Sequence, residues 1–197
     1  MGRRGTRRPP SLVDVHGTSG HSLLDLIFTL TLTVVLTAIA VAQTTTNIEQ
    51  ARTVGAARFV AGQFSLARTQ AVARGANVAV LLTGAVDGVS IATHRDGNGN
   101  GVRTAEIGAG VDPLISGPVR VGDLFPGVSV AVNSPTNVLN AGSTALMSFS
   151  PVATASSGTV YLQGRDRSQY AVRVLGATGR TRVLRYLASR NAWVPVF

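Results

Sequence analysis

Gly20-His21-Ser22-Leu23-Leu24-Asp25-Leu26-Ile27 opens a mostly apolar run that continues to Ala42, long enough for the ~20 residues a helix needs to cross a bilayer. Asp25 stands near its start, and no other acidic or basic side chain occurs until Glu49. A charge at the centre of such a segment costs about 2.5–3.5 kcal/mol on insertion scales, so an acid kept there marks a function. Upstream lie Arg3, Arg4, Arg7 and Arg8, then Pro9 and Pro10. Basic residues ahead of an apolar run hold that end in the cytoplasm and send the downstream chain across the membrane.

Three readings fit the run itself. It is a secretory signal cut at Ala40-Val41-Ala42, a plain anchor, or the N-terminal helix of a protein cut before the run, after Gly20. Two observations favour the third. The run is longer than a signal core and carries an acid. The helical pattern also continues beyond Gln43, with Ile48, Ala51, Val54, Ala57, Ala61, Phe64, Ala67 and Ala71 at steps of three or four and no proline from 21 to 75. The spacing predicts a helix over 21–75, with 21–43 as its membrane or assembly half, ending at Gly75 behind Arg74.

After Gly75 short β-type runs alternate with Gly, Asn and Pro. They predict strands at 77–83, 89–94, 128–132, 146–149, 159–163, 170–175, 181–187 and 193–196, with a weaker one near 119–121. Strands joined by short turns pair antiparallel. The fold class is therefore α+β, a long N-terminal helix with a hydrophobic first half packed on a C-terminal antiparallel sheet domain over 76–197.

Gly20 followed by His-Ser-Leu-Leu-Asp-Leu-Ile resembles the type IV prepilin motif. The resemblance implies a leader over 1–20, cleavage between Gly20 and His21 by a prepilin peptidase, and N-methylation of His21. It makes Asp25 the fifth-position acid used in helix assembly, where its carboxylate compensates the new α-amine. His stands where the family has Phe, and Asp where it has Glu. Further on, Phe149-Ser150-Pro151, Gly158-Thr159-Val160 and Gly179-Arg180-Thr181-Arg182 occur in order. Together with the leader they resemble the GspH/FimT family of minor pseudopilins and minor pilins. That resemblance implies a subunit at or near the tip of a type II secretion pseudopilus or type IV pilus. It also implies other pilin or pseudopilin subunits as partners, and an inner-membrane protein whose C-terminal domain is periplasmic.

Charge adds a second reading. All 18 basic residues are Arg, against nine acids. Residues 21–159 are neutral, whereas seven Arg after position 160 face Asp166 alone. In some FimT-type minor pilins the Gly-Arg-x-Arg element serves DNA uptake, which by resemblance points to Gly179, Arg180 and Arg182. Two apart on a strand, these two arginines share a face, and guanidinium forks grip phosphates. Arg165, Arg167 and Arg185 are further DNA-binding candidates, Arg173 and Arg190 could widen the patch, and Tyr170, Tyr186 or Trp193 would be stacking surfaces.

Asp96, Asn98, Asn100 and Glu106 approximate a calcium loop, but the closing acid falls one position short. Turn-forming Gly and Asn account for the same residues, so no metal and no cofactor is expected. Cysteine is absent, and His16, His21 and His94 form no nucleophile arrangement. Neither a P-loop nor a dinucleotide fingerprint occurs. The expected protein is not an enzyme.

Overall fold

A computed structural model describes residues 22–84, 88–132 and 144–196. The leader expected over 1–20 and the expected cleavage pair Gly20 and His21 lie outside the described residues. The chain divides into two compact units between Ala42 and Gln43.

Helix α1 runs from Leu23 to Arg74. In the first unit it carries a stretch, Leu23–Val41, long and apolar enough to cross a membrane and with none of it buried. The Ser22 carbonyl accepts the amides of Asp25 and Leu26 at 2.9 and 3.1 Å, so Asp25 sits in the first helical turn. Its negative charge suits the positive end of the helix dipole. Threonine hydroxyls in this stretch donate backwards to helix carbonyls, Thr29 to Leu26 at 3.0 Å, Thr31 to Phe28 at 2.9 Å and Thr33 to Thr29 at 2.6 Å. Thr37 does the same to Thr33.

In the second unit α1 presents a buried stripe of Thr53, Ala56, Ala57, Val60, Phe64, Ala67 and Ala71. The expected stripe is right from Val54 onward, which packs against the core, and wrong before it, since Ile48 and Ala51 are exposed. At about 100° per residue, repeated steps of three drift round the helix and leave those two opposite Phe64. The helix ends where the sequence places it. Gly75, at φ +61°, lets Ala76 N–H reach the Ala71 carbonyl and Gly75 N–H the Val72 carbonyl, the paired closure of a Schellman cap.

Nine strands form two antiparallel sheets among the described residues. The first, in the order β3-β2-β1-β5, comprises β1 (Val78–Thr83), β2 (Ser90–Arg95), β3 (Leu114–Arg120) and β5 (Thr144–Phe149). The second, in the order β4-β6-β7-β8-β9, comprises β4 (Ser129–Val132), β6 (Gly158–Gln163), β7 (Gln169–Leu175), β8 (Arg180–Leu187) and β9 (Ala192–Pro195). Short helices α2 (Thr104–Gly108) and α3 (Val121–Leu124) flank β3. Strand β3 begins five residues before the short run expected near 119–121. It carries Gly117-Pro118 at an edge and is mostly exposed, so neither alternation nor β propensity marks it. Val121 opens α3 rather than ending a strand.

Both sheets turn one face to the helix stripe. Val78, Val80 and Leu82 from β1, Met147 and Phe149 from β5, and Val160, Leu162, Tyr170, Val172 and Val183 from the second sheet join α1 in one core. Phe64 and Phe149 anchor it, with ring centroids 6.1 Å apart. Close approach of the β6–β7 turn depends on Gly164, where a Cβ would overlap the Thr53 hydroxyl of the helix and crowd Asp166 Oδ1 at 2.5 Å.

Candidate functional site on the outer sheet face

Residues directly opposite each other in a sheet point to the same side, so the register sorts the C-terminal arginines. Val172 pairs with Val183 and Tyr170 with Arg185, whereas Arg173 pairs with Arg182 and Leu175 with Arg180. Tyr170, Val172 and Val183 belong to the core. Arg173, Arg180 and Arg182 therefore occupy the opposite, outer face, and all three are exposed. Like charges directly opposite on neighbouring strands destabilise a sheet, and Arg173 and Arg182 form such a pair with no acid on the strands beside them.

The same face carries aromatic rings. Tyr161 pairs with Ala171, Ala171 with Leu184, and Tyr186 with Trp193. Strands β6 and β9 are separated by two others, about 14 Å in all. Even so, Trp193 lies 5.6 Å from the Tyr161 ring and 5.3 Å from Tyr186, tilted by 53° in each case. The side chains fold inward across Ala171 and Leu184 and cover them, to 1% and 8% exposure. The Tyr186 hydroxyl donates to Asn191 Oδ1 at 2.5 Å. The outer face is thus an apolar, ring-covered centre with an arginine row beside it.

Four residues that the sequence offers as nucleic-acid contacts fall elsewhere. Arg185 points to the helix side, opposite Tyr170 and Val194. Arg165 and Arg167 lie in the β6–β7 turn, separated from Arg180 by the length of β7, about 20 Å. There Arg165 lies along Gly127, in a cleft of about 570 Å³ shared with Asp123, Gln163 and Gly164. Tyr170, expected as a stacking surface, is instead 1% exposed in the core, where alternation along β7 turns it toward the helix. Conversely, Tyr161 is a surface ring outside the expected set, although Val160 and Leu162 facing inward already imply that it faces out.

Gly179 has a structural duty of its own. It adopts φ +58°, and a Cβ there would lie 2.8 Å from the Ala153 carbonyl oxygen and 3.1 Å from the Arg68 side chain. Left-handed backbone costs an L-residue about 1–2 kcal/mol, and the contacts add to it. Gly179→Ala should lower the thermal midpoint clearly, whereas Arg180→Ala/Arg182→Ala should leave the stability within about 0.5 kcal/mol of wild type, as for exposed side chains generally. Equal destabilisation by both variants in a melt would contradict these separate roles.

The Asp96 loop is held by its own hydrogen bonds. Asp96 Oδ1 accepts the Asn98 and Gly99 amides at 3.2 and 2.7 Å, and Oδ2 accepts Gly101 N and Asn77 Nδ2 at 2.7 and 2.9 Å. Burial raises the Asp96 pKa, but the Asn77 amide and these backbone donors outweigh it and hold the carboxyl below its ordinary value. Asp112, 1% exposed, accepts Gly97 N at 3.1 Å and Arg103 N at 2.9 Å from across the loop. Glu106 accepts the side-chain amides of Asn98 and Asn100 at 3.3 and 2.9 Å. The candidate cation ligands Asp96, Asn98, Asn100 and Glu106 are thus engaged as donors and acceptors within the loop.

His94 is buried, with Nδ1 3.2 Å from the Asp112 carbonyl oxygen. Among the described residues no three His, Cys, Asp or Glu side chains gather as a metal site. A family model described as "Type II transport protein GspH" matches residues 56–179, more than half of the chain. The matched stretch holds most of the core and stops one residue short of Arg180. No curated protein and no solved structure matches.

Proposed function

Since the chain belongs to the GspH family of type II transport proteins, we propose that it is a minor pilin-like subunit of a secretion pseudopilus or type IV pilus, assembling at or near the filament tip. One observation carries the reading. A GspH-type unit is joined through α1 to Leu23–Val41, an exposed apolar span with an acid in its first turn. Proteins of this family are structural and non-catalytic, and we read this chain as a structural subunit on that ground.

In this reading the chain enters the inner membrane as a single span, with the sheet domain in the periplasm. A prepilin peptidase removes 1–20 and methylates His21, and Asp25 then faces the new amine in the same subunit or in a neighbour. Pairing the two relieves two desolvation costs at once. N-terminal sequencing of the membrane-extracted protein should return methyl-His21. A start near Gln43 would instead identify a secreted protein released by signal peptidase.

A second reading, capture of DNA for uptake, is favoured by the row of Arg173, Arg180 and Arg182 on one exposed face. Full-length protein in detergent should then retard duplex DNA at low salt. Three phosphate contacts give a log–log salt slope of about −2.7, and Arg180→Ala/Arg182→Ala should remove most of the retardation. No retardation at low salt would eliminate this reading.

A further inference from the structure

We propose that the outer face of the five-stranded sheet docks an acidic surface of a different protein subunit, with Tyr161, Tyr186 and Trp193 as the apolar centre and Arg173, Arg180 and Arg182 as the charged border. This rests on the filament reading and names where a neighbour would sit. The composition is the first argument. Protein interfaces have an apolar core inside a polar rim and are enriched in Trp, Tyr and Arg, the same residues that dominate their energetic hot spots. Here the rings close over Ala171 and Leu184 while the arginines stand beside them.

Charge complementarity selects the occupant. Arg173 and Arg182 face each other across β7 and β8, a repulsive arrangement that an acidic partner would relieve. From residue 124 to the C-terminus the chain has one acid, Asp166, and its Oδ1 accepts both the amide and the hydroxyl of Ser168. A second copy meeting it through the same face would therefore bring arginine against arginine, and Asp96, Glu106 and Asp112, acids it could present elsewhere, are already engaged by hydrogen bonds within their own loop. Nucleic acid would also satisfy the charge, but base stacking needs open ring faces. Trp193 instead lies between two tyrosines, tilted against both, and the arginines border the ring cluster rather than running through it. The neighbour that fits is a heterologous protein surface with carboxylates around an apolar patch.

The test uses the full-length protein in its own membranes, with photoreactive p-benzoylphenylalanine replacing Tyr186 in one strain and Val35, in the apolar helix, in another. Adducts would be identified by mass spectrometry. Tyr186 adducts should contain a different pilin-like subunit and fall at least tenfold with Arg173→Glu/Arg182→Glu, while Val35 adducts persist. Reversing the charge of the partner's carboxylates should restore them. Tyr186 adducts unaffected by charge reversal, adducts only with a second copy, or nuclease-sensitive adducts with DNA would each overturn the proposal. No Tyr186 adduct alongside intact Val35 adducts would overturn it and leave the filament reading standing. Loss of adducts at both positions would count against both.

Discussion

Phe64→Ala should destabilise the folded unit by about 3–5 kcal/mol, the range for emptying a buried aromatic site. Phe64 is fully buried and packs its ring on Phe149 with centroids 6.1 Å apart. It lies on the helix stripe where core side chains from both sheets converge. At about 2–4 °C per kcal/mol for a domain of this size, the thermal midpoint should fall by roughly 6–20 °C. Leu66→Ala, two residues along the same helix but 46% exposed, should change it little. Thermal melts of full-length protein in detergent, followed by near-ultraviolet circular dichroism, separate the two. Equal and small shifts would mean that the helix does not close this core.

Asp96→Asn should cost about 2–3 kcal/mol at neutral pH, because hydrogen bonds to a charged group exceed neutral ones and one former acceptor becomes a donor facing donors. The carboxylate takes three backbone amides and the Asn77 side chain. Its folded pKa lies below the ordinary 3.8, so the native state favours the ionised form. The stability this provides is present above pH 3.8 and is lost as pH falls through the lower folded value. The gap between wild type and Asp96→Asn should therefore be constant near neutrality and shrink below about pH 4. Urea titrations at about pH 7, 5 and 3 bracket that range. A gap that widened on acidification would contradict the assignment.

The two kinds of element differ in how far local pattern reveals them. Helix α1 is legible almost to the residue because an apolar run, a three-to-four stripe and a terminal glycine all agree. Strands whose inward residues alternate, such as Val160 and Leu162 in β6, are legible for the same reason. Strand β3 is not, since an exposed edge needs no alternation and Gly117-Pro118 argues against it. For the candidate site, parity along β8 already places Arg180 with Arg182 and sets Arg185 on the opposite face. Alternation within β7 likewise turns Tyr170 inward with Val172 and Val174, whereas pairing Arg173 with Arg182 needs the register between strands. That register comes from tertiary packing and is invisible in one strand's residues. The link between Tyr161 and Trp193 spans four strands and is more remote still.

The threonines of the apolar segment bear on how a subunit changes surroundings. Because Thr29, Thr31, Thr33 and Thr37 all donate to carbonyls of their own helix, the segment carries its solvation with it. A backbone and hydroxyls satisfied internally place the same demand on lipid tails as on the flanks of neighbouring helices. In the filament reading, passage from one medium to the other would exchange van der Waals neighbours and leave those threonine hydrogen bonds intact, so no hydroxyl would have to find a new partner on the way. In the proposed filament, direction and commitment would then come from the ends, from the counter-charge proposed for Asp25 and from the neighbour proposed for the sheet domain.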